Sequence, residues 1–121
     1  MADFPSLSRV SIVMAKPELL SGTLDLLVLQ VLNGGPLHGF AIAERIHALS
    51  RDVLIVEEGS LYPSLYRMEE KGWIEPEWGQ SDKGRRAKFY TLTKVGRKQL
   101  ATERLTWDRV AIAIGDVLEN A

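Results

Sequence analysis

Cysteine is absent from the 121 residues, which excludes disulfides, thiolate nucleophiles and thiolate metal sites together. Packing alone must hold the fold. Long apolar runs are missing as well: the longest, Leu26 to Leu32, is interrupted by Gln30 and falls far short of the ~20 apolar residues that a membrane span needs, so no membrane association is expected. The first sixteen residues lack a basic segment followed by a long apolar one, which argues against a secretory signal and predicts a cytoplasmic protein. Histidine is scarce. His38 and His47 stand nine apart and neither has a ligand companion at i+3 or i+4, so no metal and no other cofactor is expected. No glycine-rich phosphate loop and no serine with a triad context is present, and the adjacent pair Glu57 and Glu58 would point apart; no catalytic residue and no enzyme is therefore expected.

What is present fits one modest domain. Hydrophobic residues make up 45% and charged residues 26%, ordinary values for a chain with a single core. A net charge of −1 at first speaks against nucleic acid. The distribution says otherwise: between Gly79 and Lys98 stand Lys83, Arg85, Arg86, Lys88, Lys94, Arg97 and Lys98, against Asp82 alone. The compensating acids lie elsewhere in the chain.

Ser21 is a plausible N-cap for a helix over Thr23–Asn33, ended by Gly34, Gly35 and Pro36. Apolar residues surround most of that helix, so it must be covered on more than one side. After a loop from Gly35 to Gly39, a second helix runs to about Ser50, with Ile42, Ile46 and Leu49 spaced as a core stripe. The run Val53–Val56 reads as a short strand. A third helix follows, from about Gly59 or Ser60 to Lys71, with Leu61, Leu65 and Met68 inward and Gly72 ending it. Pro63 is tolerated only in a first turn, so the helix should begin no more than about a turn before it. Two extended segments, Trp73–Trp78 and Ala87–Thr91, flank a polar loop from Gly79 to Arg86 that reads as a hairpin. Thr93 then caps a long C-terminal helix, weakened near its start by Gly96. The predicted fold is mainly α with a small β-hairpin: a winged helix-turn-helix over residues 17–92, a C-terminal dimerisation helix over 93–121, and an N-terminal extension over 1–16.

In such a fold the third helix enters the major groove. Ser60, Pro63, Ser64 and Arg67 lie opposite or flanking its core stripe, with Tyr62 and Tyr66 on the other flank. Hydroxyls, a guanidinium and phenols suit phosphates and base edges. Each tyrosine, taken alone, is as well explained by half-buried packing. Glu69 and Glu70 confine any DNA contact to the N-terminal end of the helix, where the helix dipole also attracts phosphate. Lys83, Arg85 and Arg86 at the hairpin tip, with Lys88 on the return strand, would contact phosphates or a minor groove. The competing reading is a winged helix that binds protein rather than DNA; such a module would not need the cations from Lys83 to Lys88.

The segments LLSGTLDLLVLQVL, GPLHGFAIAERI, EEGSLYPSLYRMEEKGWIE and KGRRAKFYTLTKVGRKQL, in this order, resemble the PadR family of bacterial transcriptional regulators. The resemblance covers roughly Leu19 to Leu100 and is most specific in EGSLYPSLYRMEEKG. It implies that Tyr62 and Pro63 belong to a DNA-reading helix and that Lys83 to Arg86 form the wing. It also implies a repressor that dimerises through its C-terminal helix and is released from DNA by a small molecule. Members with long C-terminal regions carry several helices there, whereas this chain is similar to the short subfamily with one. Because MAKPELLSGTL would make a normal start for the family, the stretch before Pro17 reads either as a segment preceding a natural initiator at Met14 or as an added helix at the dimer interface.

A homodimer is also expected independently of the resemblance. Leu100, Trp107 and Ile114 recur at seven-residue spacing, interleaved with Val110 and Val117, while Leu105 and Ile112 lie on the opposite side. One small domain can cover one of these faces but not both. A two-fold dimer would read a pseudo-palindromic double-stranded DNA operator with half-sites about one helical turn apart. Trp107, near its symmetry mate, is the candidate effector-binding residue for a small hydrophobic or aromatic molecule, although packing alone would also account for it.

Overall fold

The computed structural model describes residues 12–14 and 17–121. In chain order the elements are β1 (Ile12–Met14), α1 (Pro17–Leu32), β2 (Leu37–His38), α2 (Gly39–Leu49), β3 (Leu54–Val56), α3 (Glu58–Glu70), β4 (Ile74–Gln80), β5 (Arg86–Leu92) and α4 (Lys94–Asn120). The mainly helical fold with a small antiparallel sheet follows the order expected from the sequence.

Several boundaries differ, each for a local reason. Helix α1 begins at Pro17, whose fixed φ and missing amide suit a first helical position, so Ser21 lies inside the helix and is not its cap. Most of the N-terminal extension lies outside the described residues. Its described part, Ile12–Met14, is a strand paired in parallel with β3 in the register Ile12↔Leu54 to Met14↔Val56, and the expected added helix falls on residues outside the described ones. Helix α3 begins at Glu58, earlier than the proline limit suggests, and Pro63 sits inside it with no amide to give the Gly59 carbonyl. The hairpin is longer and its loop shorter than expected: β4 and β5 pair from Ile74↔Leu92 at the root to Gln80↔Arg86 at the tip. The segment read as a loop before α2 contains β2, which adds a third strand against β5 in the register Leu37↔Tyr90 and His38↔Phe89.

The core gathers one stripe from each element. Leu24, Val28, Leu29 and Leu32 of α1 meet Ile42 and Ile46 of α2, and Leu61, Leu65 and Met68 of α3; Ile74, Tyr90 and Leu92 close it from the sheet and Leu100 from α4. Each fully buried leucine here contributes about 1.5–3 kcal/mol relative to an exposed one. Leu49, expected in the stripe of α2, is instead 66% exposed, because α2 ends there and the chain turns away. That turn places Arg51 and Asp52 at φ 56° and 66°, left-handed for two residues that are not glycine. It is held by amide bonds from Arg51 to Ala48 O and Asp52 to His47 O, and by the Ser50 hydroxyl, which donates to His47 O and accepts from Leu54 N.

The junction between α3, the hairpin and α4 is tightly built. Helix α3 ends with Gly72 at φ 76°, its amide bonded to Glu69 O and that of Trp73 to Met68 O, the two bonds of a Schellman cap. Thr93 caps α4 by accepting from the Gly96 amide at 2.9 Å, while its hydroxyl lies 2.7 Å from Gly72 O and 3.0 Å from Trp73 O. Gly96 is a requirement of this contact and not a weak point of the helix: a Cβ there would collide with the Trp73 carbonyl oxygen and stand 2.7 Å from Leu92 Cδ1. Gly96→Ala should accordingly lower stability by about 2 kcal/mol or more, since the neighbour is backbone and cannot rotate away. Thermal unfolding followed by circular dichroism measures this, and an unchanged melting temperature would contradict the account.

Candidate nucleic-acid interface

With Leu61, Ser64, Leu65 and Met68 buried, α3 turns its opposite side to solvent. Tyr62, Pro63 and Tyr66 are exposed there and Ser60 is half-buried at the edge. Tyr62 packs across the first residue of α2, where Gly39 leaves room for the ring: a Cβ at Gly39 would stand 2.6 Å from the phenol oxygen. His38 begins α2 as its N-cap, Nδ1 accepting from the Ala41 amide at 3.2 Å, and its ring meets Phe89 edge-on at 5.2 Å.

The loop between β4 and β5 carries Lys83 and Arg85, with Arg86 following as the first residue of β5, all exposed. It closes with amide bonds from Ser81 to Arg85 O and from Gly84 to Ser81 O, and Gly84 takes φ 75°, a conformation open to glycine at little cost. The Arg86 guanidinium stacks over Trp78 at 4.7 Å, which holds one cation at the hairpin tip. Between this wing and the starts of α2 and α3 lies an open groove of about 730 Å³, lined by Phe40, Tyr62, Trp78, Arg86 and Lys88 among others. Aromatic rings and cations thus share one face.

Four of the expected site residues are placed differently. Ser64 is 2% exposed, and its hydroxyl donates to Asp25 Oδ1 at 2.6 Å, so it cannot reach a base edge. Arg67 Nη2 donates to both oxygens of Asp25, at 2.8 and 3.0 Å, so this side chain leans toward α1 rather than standing free on the reading face. Lys88 pairs with Glu69 at 3.2 Å and lies over Tyr90 at 5.6 Å, which neutralises it against α3. Burial raises the Tyr90 phenol above its ordinary pKa against the opposing effect of Lys88. Leu100, expected at the dimer seam, is buried in the chain's own core. Conversely, Phe40 and Trp78 carry no signal in the sequence that marks them for this face, and Tyr66, for which packing and DNA contact are equally good readings of the sequence, is 67% exposed. For Tyr66 the signal is its place on the flank away from Leu61, Leu65 and Met68; for Phe40 and Trp78 only the fold supplies one.

Beyond Leu100, helix α4 runs past α1, with Arg104 3.5 Å from Gln30, and then leaves the domain after Asp108. Trp107, Val110, Ile114 and Val117 of the heptad face are exposed, and so are Leu105, Ile112 and Leu118. Neither face of this half of the helix is covered, although Trp107 stands beside Leu26, Leu27 and Gln30 in a shallow cleft of about 350 Å³.

Residues 28–102 match the family described as the transcriptional regulator PadR-like family. The chain belongs to the PadR-like family of transcriptional regulators. A PadR family regulator from Eggerthella lenta is 30% identical with a TM-score of 0.70, over 86% of this chain and 88% of that one. A PadR-like regulator from Bacillus cereus is 26% identical with a TM-score of 0.71, over 86% and 99%. An uncharacterised protein from Lysinibacillus sphaericus is 26% identical over 88% of this chain and 98% of its own length. As a PadR-like protein the chain is a DNA-binding transcriptional regulator, and members of this family are regulators rather than enzymes. No helix among the described residues is long and apolar enough to cross a membrane.

The wing charge makes a direct prediction. Replacing Arg85 and Arg86 by alanine should flatten the log–log salt dependence of DNA binding by about 0.9 for each phosphate no longer neutralised, and weaken binding to all sequences alike. Fluorescence anisotropy across a salt series reads this; an unchanged slope would remove the wing from the interface.

Proposed function

We propose that this PadR-like regulator is a homodimeric repressor that reads a pseudo-palindromic operator. In this reading Ser60, Tyr62, Pro63 and Tyr66 of α3 enter the major groove while Lys83, Arg85 and Arg86 of the wing hold phosphates. The observation that carries the dimer is the uncovered apolar length of α4 from Leu105 to Leu118. Exposed apolar surface of that extent on a small domain favours association, and a second copy offers the same seam in matching register. The heptad residues Trp107, Val110, Ile114 and Val117 form the seam. Leu100 belongs to the DNA-reading unit, so the dimerising part begins later in α4 than the boundary at residue 93.

Symmetry then gives the protein two reading helices at a spacing set by the dimer, which favours an inverted repeat over either half-site alone. The exposure of Trp107, 47% beside α1, supports a role in binding a small aromatic effector: a partner helix over the shallow cleft would turn it into a slot with a flat wall. An effector there would act on the spacing of the two halves.

Val110→Asp combined with Ile114→Asp should yield a monomer in sedimentation velocity at micromolar concentration. Its affinity for an inverted repeat should fall by roughly two orders of magnitude or more, because the two half-sites are no longer bound by linked units. A wild-type monomer at that concentration would refute the dimer. Anilinonaphthalene sulfonate, an aromatic probe, should quench Trp107 emission in wild-type protein. Trp107→Ala should remove that part of the quenching while Trp73 and Trp78 remain as internal controls; identical quenching in the two proteins would rule out the slot.

A further inference from the structure

The buried polar side chains among the described residues are Asp25 of α1 and Ser64 of α3, and they bond each other. Asp25 also receives Arg67, which lies on the flank of α3 between its core stripe and its open face. One carboxylate therefore satisfies a buried hydroxyl and restrains a guanidinium that is 43% exposed. A serine on that helix needs only one acceptor. Asp25 is itself largely buried, and the same pairing that compensates its charge draws an arginine off the reading helix.

We propose that Asp25 is a specificity-determining positioning residue that withholds Arg67 from DNA phosphates. The inference rests on α3 being the DNA-reading helix. A free arginine on its flank would add a phosphate contact available on any sequence, strengthening non-specific binding while contributing nothing to base discrimination. Bonded to both oxygens of Asp25, the guanidinium is charge-compensated and leans toward α1, so contacts from Tyr62, Pro63 and Tyr66 weigh more in the total. The pair also ties the reading helix to α1, the helix whose Leu26 and Leu27 line the cleft at Trp107.

The test compares a duplex selected in vitro from a randomised library by the wild-type protein with a random-sequence duplex of equal length. Asp25→Asn keeps an acceptor for Ser64 and removes the charge that holds Arg67. It should bind the random duplex severalfold more tightly, with a log–log salt slope steeper by about 0.9 per protomer, and should lose preference for the selected duplex. Asp25→Asn combined with Arg67→Gln should return the slope to the wild-type value, and Arg67→Gln alone should leave slope and preference unchanged. Melting temperatures are measured in parallel; because Arg67→Gln keeps an amide donor but removes the cation beside the largely buried Asp25 carboxylate, binding is compared below the lowest of the melting temperatures. A flatter slope in Arg67→Gln would overturn the proposal, since the arginine would already touch DNA. Weaker binding of Asp25→Asn to both duplexes with an unchanged slope would overturn it too, leaving a structural role alone. Failure of wild-type protein to bind either duplex would instead refute the reading of α3.

Discussion

The close approach of Gly96 to the carbonyl of Trp73 governs more of this molecule than any other single contact. At that point the end of α3, the root of the hairpin and the start of α4 meet within one hydrogen-bonded knot centred on Thr93. The Schellman cap at Gly72 sets where the chain leaves the reading helix, and the pairing of Ile74 with Leu92 sets the plane of the wing. The direction of α4 follows from the same atoms. The spacing between reading helix and wing, and the path of the helix that would join two copies, are therefore consequences of one junction that admits no side chain.

Charge is arranged by subtraction as well as by placement. The chain is net negative, yet its cations are not spread evenly over the DNA-facing surface. Lys88 is compensated by Glu69 and Arg67 by Asp25, both through contacts to or from α3. What remains uncompensated on that side is concentrated at the wing tip, in Lys83, Arg85 and Arg86, with Arg86 braced on Trp78. A reading helix carrying mostly phenols and a proline, beside a basic wing, divides sequence discrimination from phosphate attraction between two elements.

Much of the fold was legible in the residues because its signals are local. Helical spacing marked Leu61, Leu65 and Met68; Thr93 announced a cap that is present; glycine and polar residues marked the hairpin loop. The failures are long-range. Ser64 and Arg67 look like surface residues on their own helix, and only α1, some forty positions earlier, supplies the carboxylate that turns them inward. Leu100 continues a heptad on paper but falls under the domain, while Leu49 continues a stripe that ends at a turn. Strand β2 was invisible because two residues carry no periodicity of their own.

The sequence by itself determined the order of elements, the side of α3 that must be buried, the basic wing and the apolar surplus of α4, because each depends on residue type and spacing within one element. Tertiary structure decided which cations stay free, where α4 stops belonging to the domain, and why Gly96 is glycine. Those outcomes depend on which atom of a distant element arrives within bonding or collision distance, and spacing along the chain carries no record of that.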